Sequence, residues 1–211
     1  MRPLAPESTA VAPPVLLVHG IWKSGTQLAA LARRLRTAGL RAECVDLHPA
    51  DGSAPILELA GQVARAADAL LASTGAPGLD LVGFSMGALV VRAYIQRLDG
   101  RARVRRYVSI AGPHAGTLTA RLLAQPGARD MRPGSALLAS LAADPDPWGP
   151  VEVHAFLTPY DLMVVPARTS LLAGARSTRV FPVLLHRWMV SDERVLGAVV
   201  EVLTAAPAAV P

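Results

Sequence analysis

The chain has a single cysteine, Cys44, a single lysine, Lys23, and aromatic side chains at only 4% of its 211 positions. One cysteine excludes an intrachain disulfide and any cysteine-based zinc site. No apolar run approaches the roughly 20 residues of a membrane-spanning helix, so no transmembrane segment is expected. The first 14 residues hold four prolines and no apolar stretch ahead of a cleavage site, which does not read as a signal peptide. Together these absences point to a reducing cytoplasm, although a disulfide-free protein can also be exported by other routes.

What is present is apolar and aliphatic. Hydrophobic residues make up 52% of the chain and its net charge is only +5, which excludes a disordered polymer. A single domain over residues 1–211 is long enough to bury about 70–75% of its unfolded surface without staples. Flexible ends are expected at 1–13 and 206–211. All but one of the 21 basic residues are arginine, and Ala is abundant throughout. This reads as coding bias, and the cluster Arg101, Arg103, Arg105 and Arg106 as a solvated face, so no nucleic-acid partner is expected.

Short apolar runs alternate with helical patterns. Val15–Val18, Arg41–Leu47, Leu79–Val82, Val104–Ala111, Val151–Leu157 and Thr178–Leu185 read as six strands. Helices are expected over about Thr26–Ala38, from Ile56 past Leu70, over Met86–Leu98, and over about Asp192–Thr204 with Ser191 as N-cap. The alternation implies an α/β fold, a six-stranded, mostly parallel sheet with helices on both faces. Ligands bind such sheets beyond the carboxyl ends of the strands.

Gly83-Phe84-Ser85-Met86-Gly87 fits G-x-S-x-G, directly after one strand and at the start of a helix. That context is what a nucleophile elbow requires. The serine sits on a strained turn that lifts its hydroxyl above the sheet. Small residues two before and two after let strand and helix pass closely, and the helix N-terminus offers N–H groups to an oxyanion. A second oxyanion donor must come from the loop after an earlier strand. His19-Gly20-Ile21-Trp22 follows Val15–Val18, so the N–H groups of Met86 and Ile21 are the expected pair, with Trp22 in reserve. His19 reads as a brace for this loop.

A serine hydroxyl needs a base, and the base needs an orienting group. Of the histidines after Ser85, His154 lies among apolar strand residues, and His114 has only Asp99 between itself and the serine. His186 follows the last strand at the carboxyl edge of the sheet and is the expected base. Asp161 follows Val151–Leu157 at the same edge and is the expected orienting acid.

Val18-His-Gly-Ile-Trp22, Gly83-Phe-Ser-Met-Gly87, Ile110-Ala-Gly-Pro-His-Ala-Gly116 and the stretch from Tyr160-Asp-Leu-Met through Leu185-His186 together resemble the α/β-hydrolase superfamily. Within it they are similar to the compact bacterial lipases and esterases, over about Pro14 to Leu203. The resemblance implies a Ser–His–Asp carboxylic-ester hydrolase working through an acyl-enzyme, with Ser85, His186 and Asp161 in those roles. It also implies oxyanion donors at Ile21 and Met86 and a small-molecule ester or lipid substrate. Neither cofactor nor metal is called for. No insertion is long enough for a full cap, and His114–Trp148 is the one candidate partial lid. Trp22, Leu162 and Met163 are the expected apolar lining. Two alternatives stand beside this reading: an acyltransferase or thioesterase on the same triad, and a non-catalytic binding module of the same fold.

Overall fold

The computed structural model describes residues 12–206, so the expected flexible ends fall largely outside the described residues. Six strands form one sheet: β1 (Val15–Val18), β2 (Ala42–Val45), β3 (Leu79–Phe84), β4 (Val104–Ile110), β5 (Glu152–Leu157) and β6 (Ser177–Val180). Their spatial order is β2-β1-β3-β4-β5-β6, and every neighbouring pair is parallel. The helices are α1 (Ala29–Thr37), α2 (Ile56–Thr74), α3 (Met86–Arg97), α4 (Pro126–Asp130), α5 (Ala136–Ala142) and α6 (Glu193–Thr204). Among the described residues no helix is long and apolar enough to cross a membrane.

The apolar runs of the strands are continuous because both faces of the sheet are covered. Val15 and Leu17 of β1 join Leu31 and Leu35 of α1 and Val195 and Val199 of α6 in one core. Leu16 and Val18, pointing the other way, join Leu59 and Val63 of α2 and Leu89 and Val90 of α3. The chain builds β2 on one side of β1 and then β3 on the other. The resulting switch in direction opens a crevice beyond the carboxyl ends of β1 and β3, where ligands bind in such sheets.

Three expectations need correction. β6 stops at Val180 rather than Leu185: the Phe181 N–H donates to Leu157 O at 2.9 Å, and the Val183 N–H then turns back to Phe181 O at 2.8 Å instead of pairing with β5. His186 therefore opens a 3-10 turn, His186–Val190, that is separated from β6 by residues 181–185 instead of following the strand directly. The N-cap of α6 is Asp192, whose carboxylate accepts the Arg194 N–H, and not Ser191. A 3-10 turn, Gly25–Leu28, also precedes α1, so that helix begins later than its periodicity indicates. The 114–148 segment carries a 3-10 turn, Leu118–Leu122, followed by α4 and α5.

The arginine cluster is consumed by structure at the end of the sheet opposite the carboxyl edge. Arg105 pairs with the fully buried Asp80, Arg103 with Asp68 and Arg101 with Asp144. The buried Arg106 donates to the carbonyls of Leu203 and Ala206, holding the last turn of α6 where its dipole favours a cation.

The carboxyl edge is shaped by two glycines. A Cβ on Gly83 would lie 2.5 Å from the Ala88 Cα. One on Gly87 would overlap the carbonyl oxygens of Val18 and His19. Both positions admit hydrogen only, because α3 begins directly against β1 and β3. Gly87→Ala must push this backbone apart, so it should destabilise the fold by at least about 2 kcal/mol, read as a lowered urea midpoint.

Beneath the same edge His114 is buried, its Nε2 2.6 Å from the Ser109 hydroxyl and its backbone carbonyl accepting from Arg92. Burial, aided by the Arg92 charge, holds its pKa well below the ordinary 6.5. The folded state keeps this imidazole neutral, while the unfolded chain protonates it below about pH 6.5. Stability is therefore full above that pH and falls as pH drops through it, by up to about 1.4 kcal/mol per pH unit for this one group. Urea midpoints between pH 7.5 and 5 should decline more steeply for the wild type than for His114→Gln; equal slopes would contradict this account.

Candidate active site

Ser85 occupies the N-cap position of α3 with φ 55° and ψ −126°, a conformation that a residue bearing a Cβ rarely adopts. Such a turn persists only where the surroundings enforce it. Here the Ser85 N–H donates to Ile110 O of β4, and the close passage at Gly83 and Gly87 fixes the backbone on either side. The hydroxyl is left at the bottom of the crevice, partly exposed. Met86, the first helical residue, is buried, and its N–H has no partner within the helix.

The loop after β1 is braced at four points. The Leu47 N–H donates to His19 Nε2 at 3.0 Å, which places the ring proton on Nδ1, and that donates to Gly20 O at 2.8 Å. Burial holds the His19 pKa below its ordinary value, favouring this neutral tautomer. Gln27 Oε1 accepts the Gly20 N–H at 3.0 Å, and Ala50 O accepts the Trp22 N–H at 2.7 Å. A Cβ on Gly20 would lie 3.1 Å from the Ser85 Cβ, so the loop lies directly against the elbow. Trp22, held in reserve as an oxyanion donor, has its N–H committed to Ala50. The Ile21 N–H takes part in none of these bonds.

On the other side of the crevice, Asp161 and His186 meet. Asp161 follows β5, and its Oδ1 accepts the N–H groups of Met163 and Val164, each at 2.8 Å. Its Oδ2 lies 2.7 Å from His186 Nδ1. With both Asp161 oxygens engaged and the carboxylate buried, the carboxylate has one orientation to offer the imidazole. The Phe84 ring packs against His186 with centroids 4.8 Å apart. The Thr158 hydroxyl donates to Val183 O at 2.6 Å and ties the loop bearing Asp161 to the loop bearing His186.

His186 Nε2 is buried and makes no hydrogen bond. Ser85 and His186 line the same cavity, but no hydrogen bond joins them, so the line from carboxylate through imidazole is drawn and its last link to the hydroxyl is open. Hydrogen bonds of this kind commonly tighten only when substrate is bound.

The other two histidines after Ser85 are engaged elsewhere. His154 bridges Ser177 and Glu152 on the sheet, and His114 binds Ser109. Among the described residues no group of three or more His, Cys, Asp or Glu side chains is gathered as a metal site would need.

Two lobes open from Ser85. One, of about 380 Å³, runs past His186 between Trp22, Leu184 and Leu185. The other, of about 370 Å³, runs past Met86 between Leu123, Met131 and Val164. Ile21, Trp22, Leu162 and Met163 border both. Leu162 is 75% exposed and Trp22 53%, so these apolar side chains stand at the mouth instead of filling the core. Gln27, Thr158, and the Thr117 and Thr119 hydroxyls that both donate to Met163 O hold this frame together. None of these four stands out in the sequence, where each reads as an ordinary polar residue of a turn or helix.

The fold is shared with solved hydrolases of low sequence identity. The mature form of a Bacillus licheniformis lipase matches with a TM-score of 0.79 at 14% identity, covering 96% of each chain. Aspergillus fumigatus lipase B matches with a TM-score of 0.81 at 14% identity, over 96% of this chain and 56% of that one. A thermophilic esterase from Thermogutta terrifontis gives 0.61 at 18%, over 92% and 90%. No curated protein sequence matches the chain. The sequence profile of palmitoyl protein thioesterase matches residues 14–143, from β1 to the end of α5, and so contains Ile21, Ser85 and Met86 but stops short of Asp161 and His186. With more than half its length matched, this α/β-hydrolase chain belongs to the palmitoyl protein thioesterase family.

Proposed function

We propose that this protein is a carboxylic-ester hydrolase in which Ser85 is the nucleophile, His186 the base and then the acid, and Asp161 the orienting carboxylate. The observation that carries this reading is the buried Asp161–His186 pair, with the imidazole Nε2 left unbonded in the cavity that also exposes the strained Ser85. A buried, carboxylate-oriented imidazole with one nitrogen free is suited to take a proton from a nearby hydroxyl.

Ser85 attacks the acyl carbon, and His186 Nε2 takes its proton. Negative charge then moves onto the carbonyl oxygen, where the N–H groups of Ile21 and Met86 receive it. Asp161 steadies the imidazolium without itself being protonated. The imidazolium next protonates the departing oxygen or sulfur, leaving an acyl-serine, and a water deprotonated by His186 releases the acid. No cofactor enters any of these steps.

The two lobes follow from the same geometry. The leaving group has to stay within reach of His186 Nε2, so it takes the lobe lined by His186. The acyl chain takes the remaining direction, past Met86, Leu123, Met131 and Val164. That lobe carries no ionisable side chain, which suits a hydrocarbon chain.

Ser85→Ala should lower turnover of a p-nitrophenyl ester at least about 10³-fold with an unchanged circular dichroism spectrum. Asp161→Asn should lower kcat about 10²–10⁴-fold with little change in KM, because it disturbs imidazole orientation and not substrate contact. Undiminished turnover in Ser85→Ala would refute the assignment.

A second reading, thioester hydrolysis on the same triad, is favoured by the family profile. With matched acyl chains, kcat/KM for an alkyl thioester should then exceed that for the alkyl oxygen ester by more than their ratio in hydroxide-catalysed hydrolysis. A ratio no greater than that of the solution reaction would leave oxygen-ester hydrolysis as the activity.

A further inference from the structure

The two lobes differ in charge. Around the lobe past Met86 the polar lining consists of hydroxyls, with no charged side chain. The lobe past His186 contains Lys23 and Arg187 and no carboxylate. Lys23 is the only lysine in the chain and stands directly after the braced loop 19–22. Arg187 directly follows the proposed base. Both side chains are exposed and neither makes an ion pair or a side-chain hydrogen bond among the described residues; the Arg187 guanidinium lies 6.0 Å from the Trp188 ring centroid, an exposed cation–π contact that leaves its N–H donors unbonded. Asp161, the acid paired with His186, is also bound to the N–H groups of Met163 and Val164. The remaining walls of this lobe are apolar: Trp22, Phe84, Leu184 and Leu185.

Resting on the hydrolase reading above, we propose that the lobe past His186 selects an anionic leaving group, an alcohol or thiol bearing a carboxylate or phosphate that Lys23 and Arg187 receive. Cations beside low-dielectric walls attract an anion more strongly than cations on an open polar surface. A carboxylate and a phosphate both fit, since an arginine fork and a lysine point charge bind oxyanions of either kind. An anion on the acyl side meets only apolar walls and hydroxyls, so the two halves of the substrate are treated differently. The overall charge of +5 draws in any anion and cannot make that distinction.

Four esters test this. The butyrates of 4-hydroxybenzoate and of 4-hydroxyphenyl phosphate carry charge on the leaving group. The butyrate of 4-hydroxybenzamide is neutral, and the hemisuccinate of 4-hydroxybenzamide carries charge on the acyl group. Each kcat/KM is divided by the rate constant for hydroxide-catalysed hydrolysis of the same ester. The two esters with charged leaving groups should exceed the neutral one by about tenfold at low salt, and the gain should shrink as ionic strength rises. The hemisuccinate should show no such gain. The double variant Lys23→Gln/Arg187→Gln should bring the charged-to-neutral ratio close to one, and Lys23→Arg/Arg187→Lys should restore it.

Equal gains for the hemisuccinate would assign the effect to overall charge and overturn the proposal. A ratio near one in the wild type, or a ratio that survives the double Gln variant, would overturn it as well. A readout without turnover separates the lobe from the chemistry: NMR titration of Ser85→Ala with 4-hydroxybenzoate and with 4-hydroxybenzamide. Tighter binding of the benzoate that is lost in the Gln variants supports the lobe assignment even if no ester is hydrolysed. Equal binding of the two overturns it even if every ester is hydrolysed.

Discussion

The close passage of α3 across the carboxyl ends of β1 and β3 is the constraint on which the rest of the crevice depends. Only hydrogen fits at Gly83 and Gly87, where a Cβ would run into Ala88 or into the carbonyls of Val18 and His19. With both neighbours pressed this tightly, the residue between strand and helix has no relaxed path, and Ser85 takes a positive φ. The same geometry aims the unpartnered first N–H groups of α3 at the crevice, so the strained hydroxyl and the positive helix end arise from one packing event. Apolar burial holds the turn in place: α3 is buried along nearly its whole length, and the sheet beneath it is covered on both faces.

Around that fixed point the structure spends its polar groups on orientation. His19 is buried and neutral and clamps the loop after β1 to Leu47, while Gln27 and Ala50 hold the N–H groups on either side of Ile21. Asp161 uses one oxygen to organise its own turn and the other to orient His186. Thr158 joins the two loops that carry this pair. Side chains held from several directions lose little freedom when substrate arrives, which is how preorganised donors and bases gain their effect. The exposed apolar rim of Leu162, Met163, Leu184 and Leu185 lies just outside this frame.

Much of the architecture was legible in the sequence. Alternating apolar runs and 3.6-residue periodicities are local consequences of burial, and five of the six strands and the four long helices lie close to where those patterns put them. G-x-S-x-G was legible because its glycines answer a backbone constraint only a few residues wide. Less was legible where the controlling partner is distant in sequence. β6 ends early because the Val183 N–H turns back to Phe181 O and the Val183 carbonyl is taken by the Thr158 hydroxyl. Asp192 caps α6 instead of its neighbour Ser191, and the pattern of acceptable capping residues does not discriminate between them. The arginines at 101–106 read as a solvated cluster, yet Arg106 is fully buried and bound to carbonyls nearly a hundred residues away.

By itself the sequence determined the parallel α/β sheet, the turn that strains Ser85 and the edge of the sheet where Asp161 and His186 belong, because each is written in apolar spacing or in residues a few positions apart. Packing settled which N–H groups in the 19–22 loop are bonded, that Trp22 gives its own to Ala50, and that Asp161 Oδ2 reaches the His186 ring. It also decided that one lobe beside Ser85 is charged and the other is not. Apart from the Gly20–Gln27 bond, those outcomes depend on distances between segments 25 or more residues apart, which closure of the sheet and packing of both its faces set and no local pattern encodes.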